Sequence, residues 1–202
     1  MDNAFLEPLS VLLAIAYLLL AARQNLWCWA CALGSSLLYV LIFYRVSLLM
    51  EAVLNIFYAV MAVVGWWQWR KAGSDGKAAL QIHCLPWQQH LLLLGGMLLL
   101  AFANGWIMER YSTAVWPYVD SFTTWASIFT TIMVIRKVLE NWLYWILIDS
   151  ISLYLYIDRG LYLTALLFAG YLVICVFGFL HWRRLHQQQQ QQEQREAAGA
   201  AC

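Results

Sequence analysis

Hydrophobic residues in this chain gather into long runs that are apolar on every face, with polar positions pushed to the ends. Seven such runs stand at about 5–22, 26–44, 46–69, 89–108, 115–135, 142–157 and 161–180. Segments of about 20 apolar residues cross a hydrocarbon layer as helices, and shorter buried core helices do not. Barrel strands alternate polar and apolar positions, which these runs do not. The pattern predicts an all-α membrane protein of seven transmembrane helices. No basic residue precedes the first run and no small-residue cleavage site follows it before Arg23, so it is kept as a helix and not a signal peptide.

Composition supports this picture: 63% of the 202 residues are hydrophobic and 11% charged, against about 45–50% and 25% in soluble domains. A net charge of +1 gives no reason to expect a nucleic-acid partner. Basic residues accumulate in cytoplasmic loops. With seven spans, Arg23, Arg70, Lys71, Lys77, Arg136, Lys137, Arg183, Arg184 and Arg195 share one side, and Arg45, Arg110 and Arg159 the other. Nine against three places the N-terminus outside and the C-terminus in the cytoplasm. Residues 185–202, a glutamine tract with few apolar groups, read as a disordered cytoplasmic tail. Residues 1–184 form one transmembrane domain.

The chain also resembles itself. Residues 58–70 lie over 171–183 at a shift of 113, with Tyr, Val, Val, Gly, Trp and Arg coinciding. The same shift sets Glu7 on Asp120 and Arg23 on Arg136, and a drift to about 116 sets Asn25 and Trp29 on Asn141 and Trp145. A three-helix unit at about 5–70 is thus repeated at about 118–183, with the span at 89–108 as a linker helix. One extra helix restores the starting side, so the repeats run parallel in a 3+1+3 architecture.

Ionisable residues inside a span are costly and mark a cavity or a partner. Trp142, Trp145, Asp149 and Ser152 are spaced by 3, 4 and 3, which puts them on one helical face. Two indoles above a carboxylate can stack a flat ring, attract a cation and accept hydrogen bonds at its edge. The alternative is an interfacial aromatic belt with Asp149 bonded to a neighbouring helix. Asp149 lies seven residues, about 10 Å, beyond Trp142, deeper than a belt reaches. Glu51, Asn55 and Tyr58 form a second polar stripe, whose alternative reading is interhelical hydrogen bonding. Cys28 and Cys31 form a CxxC inside an apolar run, with no second pair and no nearby His, and read as small buried residues. His83, His90, His181 and His186 are scattered, and no phosphate-binding or nucleophile motif occurs. The chain reads as no enzyme, with no cofactor and no metal site. A membrane scaffold whose stripes serve packing is the reading from another class.

Asp120-Ser121, Arg136-Lys137, Glu140-Asn141-Trp142 with Trp145, and Gly65-Trp66 with Trp69 resemble the PnuC family of bacterial vitamin transporters. The resemblance runs from about Gln24 to Arg183 and is most specific at 136–145. It implies a SWEET-like fold, a homotrimer in the bacterial inner membrane, and facilitated diffusion of nicotinamide riboside with trapping by cytoplasmic phosphorylation. It also implies ring-stacking tryptophans at Trp142 and Trp145, a side-chain amide at Asp149, and a glutamine at Asn55. Asp149 departs from the amide. A carboxylate only accepts hydrogen bonds, which suits the aminopyrimidine of thiamine, carried by relatives of the family.

Overall fold

The computed structural model describes residues 3–45, 49–74, 81–112, 116–158, 160 and 162–200. Among them are seven α-helices: α1 (Asn3–Ala22), α2 (Cys28–Arg45), α3 (Leu49–Ser74), α4 (Trp87–Tyr111), α5 (Pro117–Ile135), α6 (Asn141–Asp158) and α7 (Tyr162–Ala200). Each expected span meets one helix, and the fold is all-α. Among the described residues, 28–45, 52–71, 87–111 and 164–198 are long and apolar enough to cross a membrane. Helices α5 and α6 are more polar, and their polar groups are turned inward: Ser121, Ser127, Thr130, Thr131, Asn141 and Asp149 are all buried. Thr130 and Thr131 donate to the carbonyls of Ala126 and Ser127 one turn back, which satisfies their hydroxyls without water.

Six of the helices close a ring. In the order α1, α2, α3, α5, α6, α7 each packs on the next, and α7 returns to α1. Helix α4 stands outside the ring against α5, with Leu91, Leu92, Leu98, Leu99 and Phe102 exposed. Around this ring α2 lies opposite α6, and α3 opposite α7.

At the end that carries Arg23, Arg70, Arg136 and Arg183, here called the basic end, the two halves are built alike. Helix α1 ends with Gln24 at φ 53°, and α5 with Lys137 at φ 55°. Both ends are Schellman caps: Asn25 N–H donates to Leu20 and Gln24 N–H to Ala21, while Val138 donates to Met133 and Lys137 to Val134. Trp29 lies on Gly65, where a Cβ would fall 2.5 Å from its ring, and Trp142 lies on Gly178, where it would fall 2.8 Å away. Each matched pair is 113 positions apart. The environments therefore match Trp29 with Trp142 and not with Trp145, so the drift to 116 expected from the sequence is not seen here.

Beyond residue 184, where the sequence reads as a disordered tail, the backbone is continuous with the last span. Helix α7 runs on to Ala200. Gln and Glu are good helix formers, and Gln190 with His186 and Gln192 with Glu196 pair at i,i+4 along it.

Candidate functional site in the interior of the helix ring

Helix α6 starts where the buried Asn141 amide donates to the Val138 carbonyl at 2.6 Å. Trp142, only 1% exposed, is clamped face-on over Gly178 and edge-on to Trp182, with ring centroids 5.5 Å apart. Trp145, one turn on, is half-buried and touches both apolar clusters of the protein. Asp149 is 5% exposed. Among the described residues its one hydrogen-bond partner is Cys175 of α7, whose thiol donates to Oδ2 at 3.7 Å. Ser152 is half-buried one turn further. A carboxylate has about four acceptor sites, and burying it with a single weak thiol donor leaves it a strong attractor for donors or cations.

The second stripe lies on another wall. Asn55 and Tyr58 of α3 are half-buried, with the Tyr58 ring 5.8 Å from Phe57. The side chain of Glu51 lies outside the described residues. Helices α3 and α6 are not neighbours in the ring, so the two stripes do not meet directly. Tyr17 of α1 stands within electrostatic range of both Tyr58 and Cys175, which puts all three toward a common interior. Cys175 and Tyr17 were not singled out in the sequence. The signal for Cys175 was its place in the matched segment 171–183, where it replaces Ala62 of the first half.

An open surface groove of about 600 Å³ lies between α1 and α7, lined by Glu7, Ile15, Thr164, Tyr171 and Ile174 among others. None of the seven residues picked from the sequence lines it. Its wall residue Tyr171 is one helical turn from Cys175, and the groove lies toward the end opposite the basic one.

The basic end is shut by reciprocal contacts. The Trp69 indole N–H of α3 donates to the Ile135 carbonyl at the end of α5, at 3.0 Å. The Trp182 N–H of α7 donates to the Ala21 and Ala22 carbonyls at the end of α1, at 3.2 and 3.1 Å. These are carbonyls that a helix end leaves without intrahelical donors. Between them Lys137 Nζ donates to Gln24 Oε1 at 3.0 Å and stands 4.7 Å from the centre of the Trp69 ring. Burial holds the Lys137 ammonium below the usual lysine range. The segment before α4 lies beside this seal: Ile82 is buried in the same apolar cluster, and His83 bridges to Val138.

Residues 4–184 match the family model described as nicotinamide mononucleotide transporter. The chain is 23% identical over 189 residues to the nicotinamide riboside transporter PnuC of Escherichia coli (strain K12), covering 82% of this chain and 79% of that protein. It is 22% identical over 175 residues to the riboflavin/roseoflavin transporter RibM of Streptomyces davaonensis, covering 85% and 81%. A crystal structure of the vitamin B3 transporter PnuC superposes with a TM-score of 0.74 at 21% identity, over 92% of this chain and 83% of that one, and has the same fold. The family match takes in all seven helices, the seal and the buried carboxylate, and the chain belongs to the nicotinamide mononucleotide transporter family.

Proposed function

We propose that the protein is a multi-pass carrier of the bacterial inner membrane that takes up a small ring-containing vitamin by facilitated diffusion, with nicotinamide riboside as the first candidate. The observation that carries this reading is Asp149, a nearly unsatisfied carboxylate buried inside a ring of helices in a chain of a transporter family. A scaffold needs no such group, because burying it costs stability with no compensating partner. Trp145, Asn55, Tyr58 and Ser152 join it as ligand contacts in this proposal, with Glu51 nearby in sequence. The matched contacts 113 positions apart support two parallel three-helix units about an axis along the membrane normal. The basic end is the cytoplasmic one on the nine-to-three charge split, and the copies assemble as a homotrimer. Phosphorylation in the cytoplasm then traps the vitamin, so the carrier needs no ion gradient.

Thiamine is the second reading, and Asp149 favours it. An ionised carboxylate pairs with an exocyclic amine and attracts a thiazolium, whereas a carboxamide offers it only the donor half. Proteoliposome uptake tests the proposal. Saturable entry of nicotinamide riboside or thiamine without ATP or an ion gradient is expected. Failure of every nicotinamide, thiamine and riboflavin compound to enter would leave the scaffold reading. For the orientation, a cytoplasm-specific reporter fused after Arg184 should be active and a periplasmic one silent.

A further inference from the structure

The carrier reading puts the ligand on Asp149 of α6, and the helix across the ring offers a matching position. Counting back 113 residues, the shift that relates Trp29 to Trp142, Gly65 to Gly178 and Gln24 to Lys137, Asp149 falls on Ser36 of α2. Ser36 follows Trp29 by seven residues, as Asp149 follows Trp142. Seven residues are two helical turns, so each polar group shares its helix face with a tryptophan and stands about 10 Å beyond it. Both tryptophans belong to the central apolar cluster at the basic end. Both polar groups therefore face the interior, from opposite walls of the ring.

Ser36 is only 7% exposed, and its hydroxyl, which bonds to no described residue, is not one of the fully enclosed polar atoms left without a partner and so keeps some surface open. Its neighbour Ser35, equally buried, donates to the Ser10 carbonyl of α1 at 2.9 Å and so fastens α2 to α1. A hydroxyl that bonds to no side chain or carbonyl of the protein but keeps some surface open can be met by a ligand inside the ring. In a helix a serine can also bond back to the carbonyl four residues before it, as Ser10 does to Leu6. Ser36 makes no such bond.

We propose that Ser36 is a ligand-binding residue of this carrier, holding the polar edge of the vitamin that faces away from Asp149. The hydroxyl both donates and accepts, so it meets a carboxamide, a ring nitrogen or a sugar hydroxyl, while the carboxylate takes the donor or cationic edge. The two walls then read one flat ligand from both sides, and Ser36 sets which second edge is tolerated.

This rests on the carrier reading, and the test separates the two. Nicotinamide riboside and thiamine are titrated into the purified full chain, wild type, Ser36→Ala and Ser35→Ala, with melting temperatures measured on the same samples. Ser36→Ala is expected to weaken the bound vitamin about fivefold, the size of one neutral hydrogen bond, and to leave melting unchanged or raised. Ser35→Ala is expected to melt earlier and bind as wild type does. Wild-type binding with Ser36→Ala within twofold of it overturns the assignment and leaves the carrier reading standing; no binding by any form overturns both. Should Ser36→Ala fail to fold, Ser36→Cys is treated with a small methanethiosulfonate reagent and the modified peptide is read by mass spectrometry. Saturating vitamin is expected to slow modification at position 36 several-fold, and an unchanged rate overturns the proposal.

Discussion

The halves α1–α3 and α5–α7 share a frame at the basic end and part company about two helical turns further in. At the seal the matched positions do the same work with the same or similar residues: Trp29 and Trp142 on their glycines, Trp69 and Trp182 on the carbonyls of the opposite half. Deeper in the ring the matched residues differ in chemistry. Ser36 stands against Asp149, Ala62 against Cys175, and Tyr17 against Thr130. A frame that must close on itself tolerates little change, because Trp29 and Trp142 each need a bare glycine and Trp69 and Trp182 each need a backbone carbonyl. A site that binds one asymmetric ligand gains from having different walls. On the carrier reading, the difference assigns structure to what the halves share and recognition to what they do not.

The largest expected effect breaks the shared frame. Trp142→Ala empties a fully buried site between Gly178 and Trp182, which costs about 3–5 kcal/mol of stability for a lost aromatic core residue. Trp29→Ala should cost a similar amount, and both are read as earlier melting in detergent. Trp145→Ala is expected to act on the ligand instead, weakening binding by at least ~1 kcal/mol through a lost ring contact while the protein stays folded. If Trp142→Ala melts like wild type and loses binding, the division between frame and site is wrong at that position.

Asp149→Asn sharpens the other side of the comparison. It replaces an ionised acceptor with a group that is half donor, and hydrogen bonds to charged groups contribute roughly 1.5–3 kcal/mol. Thiamine affinity should fall by about ten- to a hundredfold, and nicotinamide riboside affinity should hold or rise. Wild type that binds the riboside tightly and loses it in Asp149→Asn would show that the carboxylate serves the riboside by another route.

Much of this was legible in the sequence, for reasons that can be assigned. Apolar runs of membrane length gave the helices, and Asp149 stood out because an acid so deep in a run is expensive. The spacing Trp142, Trp145, Asp149, Ser152 gave a common face, but a common face does not say what covers it. Trp142 proved to be filled by Gly178 and Trp182, and only Trp145 keeps part of its surface open. Trp182, placed near a span end by the sequence, is fully buried and donates to carbonyls at the end of α1. Cys175 and Ser36 were not legible alone, since a thiol or a hydroxyl in an apolar run is unremarkable until its partner, or the lack of one, is known. The helical form of residues 185–200 was not legible, because low hydrophobicity excludes a packed core but not a helix made by Gln and Glu themselves.

A smaller effect separates the two locks. Trp69→Phe removes one indole N–H from the Ile135 carbonyl, and Trp182→Phe removes one shared between Ala21 and Ala22. Each should cost about 1 kcal/mol, the net size of a neutral hydrogen bond, and up to about 3 where a buried carbonyl is stranded. Although the locks join different pairs of neighbours, α3 to α5 and α7 to α1, the two rings stand 6.3 Å apart, so their losses should couple in the double variant by about 0.5 kcal/mol or more. Losses that simply add would show that the two locks open independently despite the ring contact.

The smallest effect concerns the segment before α4, where the likeness of the halves fails at the basic end itself. The polar contacts of this segment go to the second half: His83 pairs with Lys137 and Leu139 through the backbone, Leu85 N–H donates to Glu140, and the Cys84 thiol lies 3.8 Å from His186. The Cys84 thiol is pushed up to about 11, by partial burial first and by the nearby Glu140 carboxylate second. The thiolate is the reactive form, so near neutral pH an exposed Cys84 should be alkylated more slowly than the same peptide in denaturant, by roughly tenfold once the higher nucleophilicity of a more basic thiolate is allowed for. Glu140→Gln removes the second cause and leaves the first, so the rate should rise a few-fold without reaching that of the denatured peptide. The rate should also climb with pH until it passes through the raised value, as it must for a thiol whose anion is disfavoured. A rate in Glu140→Gln equal to wild type would mean that the carboxylate does not hold this segment, and the strap would then be tied to the second half by its backbone pairing at His83 alone.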